Sequence, residues 1–204
     1  MTGLTKRALM STFLELLEDK PLDKITVREI VEECGVSRNT FYYHFHDIYE
    51  LIEEMFNNEV DRIMRDANNS ADLSWVFREV CQLSSQHSMA MYHLCHSADH
   101  ERVMGYLHNA SMVAVRKVVE RHAEGIEVAQ SDIELICSMI ASIVEGVATG
   151  TISANLTDSD GVDKFVTRIC QLLDGVIDLT LVNATRNWEN PVYVGYSNNS
   201  EFLG

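Results

Sequence analysis

Thr26-Val-Arg-Glu-Ile-Val-Glu-Glu-Cys-Gly-Val-Ser-Arg-Asn-Thr-Phe-Tyr-Tyr-His-Phe45 decides the fold, because it encodes two short capped helices joined by one glycine turn. Thr26 followed by Glu29 has the spacing of a capping box, in which each side chain satisfies a backbone donor at the other's position. Val27, Ile30, Val31 and Cys34 then recur with a helical period. Gly35 falls where helices end in a left-handed residue, and Ser37 offers the N-cap of the next helix. In that second helix Phe41 and Phe45 lie one turn apart and anchor it to a core. Arg38, Asn39, Thr40, Tyr42, Tyr43 and His44 are left on or near the open face, and each carries a hydrogen-bond donor. This is the pattern of a helix-turn-helix, whose second helix enters the major groove while hydroxyls such as that of Ser37 and helix N-termini hold phosphates. The plainer alternative is a helical hairpin whose aromatics are core and whose polar residues are only solvated.

Outward from this stretch, Leu9, Phe13, Leu16 and Leu17 give a preceding helix an apolar stripe that Lys20-Pro21 closes. A fourth helix opens at Asp47, with Glu50 three residues on, and carries Tyr49, Ile52, Met55, Phe56, Val60 and Ile63 toward Ala67. The expected class is all-α: a three-helix DNA-binding domain with its helix-turn-helix over residues 1–46, then a larger helical ligand-binding and dimerisation domain over 47–188. Within the latter, 47–67 is a connecting helix, and 189–204 form a tail in which Tyr193, Tyr196 and Phe202 suit docking and the Asn and Ser residues suit disorder. Breaks are expected at Asn68-Asn69-Ser70, Ser97 to Asp99, Glu124 to Ser131 and Asn155 to Gly161. Pro21 and Pro191 are the only two prolines, so the interior can be almost continuously helical.

From Lys6 to about Glu59 the chain resembles the TetR family of bacterial transcriptional regulators, through Thr26-Val-Arg-Glu-Ile, Cys34-Gly-Val-Ser and Thr40-Phe-Tyr-Tyr-His-Phe. The last phrase is also similar to the subgroup of dihydroxyacetone kinase regulators. The resemblance implies that Thr26 and Arg28 touch backbone or base, and that Arg38, Asn39, Thr40, Tyr42, Tyr43 and His44 form the recognition surface. One departure stands out. Family members place a phosphate-gripping lysine at the start of the fourth helix, where this chain reads His46-Asp47-Ile48.

Charge sharpens that point. The formal net charge is −15, and within the first fifty residues six bases face nine acids, leaving −3 there and −12 elsewhere. Non-specific affinity for DNA comes mainly from neutralised phosphates, so a lone copy is expected to bind weakly and a dimer at a matched site to be needed. The segments Ile133 to Leu156 and Val162 to Trp188 are apolar on more than one side, as helices that meet a symmetry mate would be. The expected dimer residues are Ile140, Ile143, Gly146, Gly150, Ile169, Leu173, Val176 and Ile177; the alternative buries both helices within one subunit.

Between Trp75 and Val119 the chain is rich in Met, His and aromatic residues. By the resemblance this region surrounds a small-molecule pocket, and Trp75, Met89, Tyr92, His93, His96, Met104 and Met112 are its candidate lining; ordinary core is the competing reading. His93, His96 and His100 raise a metal site as a further alternative, which a break at Ser97 to Asp99 would spoil. No cofactor is expected beyond an unidentified effector. The five cysteines lack metal-finger spacing and suit buried thiols. No stretch reads as long and apolar enough for a bilayer span and no signal peptide is evident, so a cytoplasmic protein without membrane contact is expected. No phosphate loop or nucleophile elbow points to an enzyme. The expected function is a ligand-responsive dimeric repressor of a palindromic operator, with double-stranded DNA, a second copy and a small effector as partners. The alternative is a helical co-regulator acting through another protein.

Overall fold

A computed structural model describes residues 2–66, 72–153 and 159–186. Asn68-Asn69-Ser70, most of the stretch from Asn155 to Gly161 and the tail over 189–204 lie outside the described residues. Among those described there are ten α-helices and one 3-10 turn, with no strand: α1 (Thr2–Asp19), the 3-10 turn (Leu22–Lys24), α2 (Val27–Cys34), α3 (Arg38–His44), α4 (Ile48–Asp66), α5 (Leu73–Gln86), α6 (Ser88–Cys95), α7 (His100–His122), α8 (Gln130–Ser153), α9 (Ser159–Leu172) and α10 (Val176–Ala184). The fold is all-α, as expected.

The N-terminal core forms where the apolar stripes of α1 to α4 converge. Leu9, Phe13, Leu17, Ile30, Phe41, Phe45, Leu51 and Ile52 are all buried. Phe41 and Phe45 meet with ring centroids 5.6 Å apart, and burying each contributes about 1.5–3 kcal/mol. This core does not stop at residue 46: Ala90, Met91 and Leu94 of α6 and Val103 of α7 belong to the same cluster. The second core is built from α5, α7, α8, α9 and α10 around Phe77, Val115, Val118, Cys137, Val144 and Leu181. Phe56 of α4 packs against both cores.

The structure departs from the sequence reading in three places. The segment from Val162 onward is two helices, because Gly175 takes a left-handed backbone (φ 69°) between α9 and α10. A second break separates α5 from α6 at His87, whose backbone (φ −117°, ψ 43°) fits neither helix. Finally, Gln130–Gly150 of α8 does have the length and apolarity of a bilayer span, with a mean hydropathy of 1.6. Here its apolarity serves the core: Ile133, Cys137, Ile140, Ala141 and Val144 are buried, and the helix packs on α5, α7 and α10.

Candidate nucleic-acid interface

Local chemistry builds the α2–α3 unit. The Thr26 hydroxyl accepts from the Glu29 N–H at 3.3 Å, which is the forward half of the capping box. In the reverse direction the Glu29 carboxylate pairs with Lys20 at the end of α1, tying the two helices together. Gly35 ends α2 with φ 70°, ψ 30°, a region that penalises any residue with a Cβ. Ser37 caps α3 by accepting from the Thr40 N–H at 3.1 Å, and its hydroxyl also lies 2.9 Å from that of Thr40.

With Phe41 and Phe45 turned inward, α3 presents Arg38, Asn39, Tyr42 and Tyr43 to solvent, Tyr42 at 57% and Tyr43 at 72% exposure. Ser37 is exposed beside them, while Thr40 and His44 are half-buried. His44 packs edge-on against Tyr43, 5.0 Å between centroids. On α2, Thr26 and Arg28 are exposed, but the Arg28 guanidinium is held by Glu32 at 2.6 Å, and that carboxylate raises the Arg28 pKa further. Such a pair must open, or share its cation, for Arg28 to meet a phosphate.

The start of α4 carries an acid where a lysine was expected, and the body answers it. One Asp47 oxygen caps α4 by accepting from the Glu50 N–H at 2.8 Å. The other accepts from Arg102 of α7 at 3.4 Å. Arg102 also stacks over the Tyr49 ring at 4.2 Å and donates to the Tyr106 hydroxyl at 2.8 Å. Around it, the Tyr49 hydroxyl donates to Asp99, and the Ala98 N–H donates to both oxygens of Asp23 at 3.2 Å. Burial and the Asp99 hydrogen bond push the Tyr49 phenol up to about 12. The loop between α6 and α7 thus clasps the helix-turn-helix unit. Sequence reasoning missed this junction because its members are spread from Asp23 to Tyr106 and share no local pattern.

The pocket residues expected in the body fall elsewhere. None of Trp75, Met89, Tyr92, His93, His96, Met104 and Met112 lines any of three partly open cavities formed by the described residues. The buried side of α6 is Ala90, Met91 and Leu94, which turns Met89 (48%) and Tyr92 (44%) outward. Trp75 donates its indole N–H to the Ile63 carbonyl at 3.2 Å, and Met112 packs on the second core. The largest of the three cavities, about 270 Å³, lies instead between α1, α4, the end of α5 and α6. Met10 and Leu14, a second apolar row beside the Leu9–Phe13–Leu17 stripe, were its signal in the sequence. A cavity of about 180 Å³ adjoins the His122–Asp178 pair, and one of about 50 Å³ sits between α4, α5, α7 and α8.

His93 and His96 each place Nδ1 on a backbone carbonyl, Leu17 at 2.7 Å and Tyr92 at 2.8 Å, while His100 starts the next helix. No group of three or more metal-capable side chains gathers among the described residues. Burial raises the thiol pKa of Cys95 and Cys137.

Of the residues expected at a dimer interface, Ile140 and Ile177 are buried within their own subunit. Ile143, Ile169, Leu173 and Val176 are half-buried against the second core, and Gly146 and Gly150 face open space. The apolar side chains left uncovered on these helices are Leu135 and Met139 on α8, Leu172 on α9, and Leu179 and Val182 on α10. Gly146 shares the uncovered side of α8 with Leu135 and Met139, whereas Ile140 and Ile177 are turned inward.

Fold and surface together define a helix-turn-helix protein with an all-helical body. Residues 9–55 match the family of bacterial regulatory proteins described as the tetR family. An HTH-type transcriptional regulator of Haemophilus influenzae is 33% identical over 72 residues, which is 33% of this chain and 35% of that protein. The HTH-type transcriptional regulator EthR of Mycobacterium tuberculosis is 33% identical over 69 residues, 32% of each chain. The chain thus spans about a third of the length of the curated relatives it matches. Over the whole fold it is similar to the dihydroxyacetone kinase operon activator DhaS (TM-score 0.65, 16% identity, 86% of this chain and 97% of that one). It is similar too to a transcriptional regulator of Aquifex aeolicus (TM-score 0.55, 18% identity, 82% and 99%). At these identities the likeness speaks to the fold alone. The likeness in sequence is local: over residues 9–55 the chain is similar to the TetR family.

Proposed function

We propose that this protein is a transcriptional regulator that binds double-stranded DNA as a homodimer, α3 of each copy reading one half of a palindromic operator. The observation that carries this reading is the face of α3: Arg38, Asn39, Tyr42 and Tyr43 stand exposed on a helix whose other side is locked by Phe41 and Phe45. A rigid scaffold presenting free donors is what base and phosphate contacts require. Thr26, Arg28, Ser37, Thr40 and His44 complete the proposed surface, with Arg28 released from Glu32 when DNA binds. The acidity of the chain supports a dimer, since two heads double the phosphate contacts that one makes. The uncovered residues Leu135, Met139, Leu172, Leu179 and Val182 are the part of α8 to α10 that a second copy would cover.

Relatives matched over about a third of the chain are named as transcriptional regulators, which supports regulation over enzymatic turnover. In this reading residues 1–46 read DNA, 47–188 bind an effector and dimerise, and the outcome is repression relieved by a small molecule. Selection from random duplexes tests it. The expected result is an enriched palindrome whose half-site centres lie about 34 Å apart or a multiple of that. Enrichment of no palindrome, with a stoichiometric protein partner recovered instead, favours the co-regulator reading.

A further inference from the structure

The cavity of about 270 Å³ between α1, α4, α5 and α6 is chiefly apolar, and its walls include Phe13, Leu14, Met55, Phe56, Met91 and Leu94. It is slightly smaller than the ~300–1,000 Å³ of sites for drug-sized molecules, so its guest is compact. Four lining residues bring polar side chains to it: Ser11, Asn58, Glu59 and His87. Glu59 is itself a carboxylate, and the other three are each in contact with one. The Ser11 hydroxyl reaches Glu15 at 3.5 Å, the Asn58 amide reaches Glu54 at 3.4 Å, and His87 Nδ1 lies 2.9 Å from Glu18. Against these four acids stand two cations. Lys6 is paired with Glu54, and Arg62 divides itself among Glu59, Asp66 and Glu79. The polar part of the lining therefore sits in a field of net negative charge, which repels an anion and favours a cation.

We propose that this cavity binds a compact hydrophobic amine, its hydrocarbon part among the apolar walls and its ammonium group toward Glu59 and the Glu18–His87 pair. One wall is α1 of the reading head and the others belong to α4, α5 and α6, so occupancy bears on how the head sits against the body. That consequence rests on the regulator reading above; binding itself does not. Phe56, Glu59, Leu83 and Met91 also line the small cavity between α4, α5, α7 and α8, so the two spaces share these four side chains, of which the Met91 thioether is the most flexible. Rotation of Met91 would extend the site for a longer hydrocarbon chain.

The test uses the full chain without DNA and two probes of like shape and opposite charge, phenethylamine and phenylacetate, followed by calorimetry. Phenethylamine should bind at least about tenfold more tightly than phenylacetate, and Glu59→Gln should narrow that ratio. Leu14→Trp, which fills the cavity, should weaken the amine by about tenfold or more. If circular dichroism shows that this variant is unfolded, Met55→Trp serves the same purpose from α4. Equal affinity for the two probes, no binding of the amine at millimolar concentration, or amine binding unchanged in a folded cavity-filling variant would overturn the site. With the operator from the duplex selection, amine that leaves DNA affinity unchanged overturns the coupling while the calorimetry still supports the site. Failure to select any operator strikes at the regulator reading alone.

Discussion

Arg102 of α7 lies over the ring of Tyr49 in α4, 4.2 Å from guanidinium carbon to ring centroid, and the same guanidinium reaches Asp47 at 3.4 Å. The head is thereby held to the body at the start of α4, by a cation that comes from outside the first fifty residues. Its place beside Asp47 also offsets the negative charge that the helix cap would otherwise present where family members carry a lysine. The two effects separate on mutation.

Replacing Arg102 with Ala should lower stability by about 1 kcal/mol, from an exposed cation–π contact of ~0.5–1 kcal/mol and a surface ion pair of ~0–1 kcal/mol. For a chain of this size that is a fall in Tm of about 2–4 °C. Arg102→Lys should recover the charge beside Asp47 but less of the stacking, so DNA affinity should return further than Tm. Calorimetric scans alongside gel shifts of both variants measure this, and identical behaviour of the two would remove the charge argument.

Tyr49 supplies a pH signature for the same junction. Its folded-state pKa is about 12, while an ordinary phenol titrates near ~10. A raised folded pKa means that the folded chain holds the proton more tightly than the unfolded one. The resulting stability is complete below pH ~10 and is lost as pH rises toward about 12. Thermal unfolding from neutral to alkaline pH should therefore fall more steeply across that window for the native chain than for Tyr49→Phe. Parallel curves would show that burial and the Asp99 hydrogen bond do not raise the Tyr49 pKa in solution.

Within the α2–α3 unit, structural and recognition roles fall on different residues. Ser37→Ala removes the cap of α3 and should cost about 1 kcal/mol of stability. Arg38→Ala and Tyr43→Ala remove exposed side chains and should change stability by no more than about 0.5 kcal/mol. Where either side chain reads a base, its removal should still weaken DNA binding by about 1–3 kcal/mol, and more for the selected sequence than for random DNA. Urea unfolding and binding titrations on the three variants test the separation; equal weakening on specific and random DNA would reassign Arg38 or Tyr43 to a phosphate.

The helix-turn-helix was legible because its determinants are local. Thr26, Gly35 and Ser37 act on backbone groups within a turn of themselves, and the Phe41–Phe45 spacing selects a face without reference to the rest of the chain. The body was not legible to the same degree. Helices α8 and α10 are apolar on more than one side, so periodicity alone assigned Ile140 and Ile177 to a partner when they fill their own core. The cavity eluded the reading for a related reason: Met10, Met55 and Met91 are far apart in the chain, and only the tertiary arrangement of α1, α4 and α6 brings them to one space. Gly175 was read as part of a continuous helix, since an isolated glycine breaks a helix only where the tertiary structure uses its left-handed backbone.

Leu179 and Ile140 lie on opposite sides of the body's surface, the first uncovered and the second in the core. Leu179→Glu places a charge on the uncovered side of α10, where the native side chain is 60% exposed. It should leave the monomer folded yet shift the chain toward monomer in sedimentation, and operator binding should fall with the loss of the second head. Ile140→Ala acts on the opposite side of α8, in the core, where truncating a large aliphatic side chain costs about 2–5 kcal/mol. It should lower Tm while leaving the surface that meets a second copy intact, so association of the folded fraction should persist. If Leu179→Glu leaves sedimentation unchanged and Ile140→Ala dissociates the dimer, the copies meet through the face first read from the sequence, and the subunit core must open to form it.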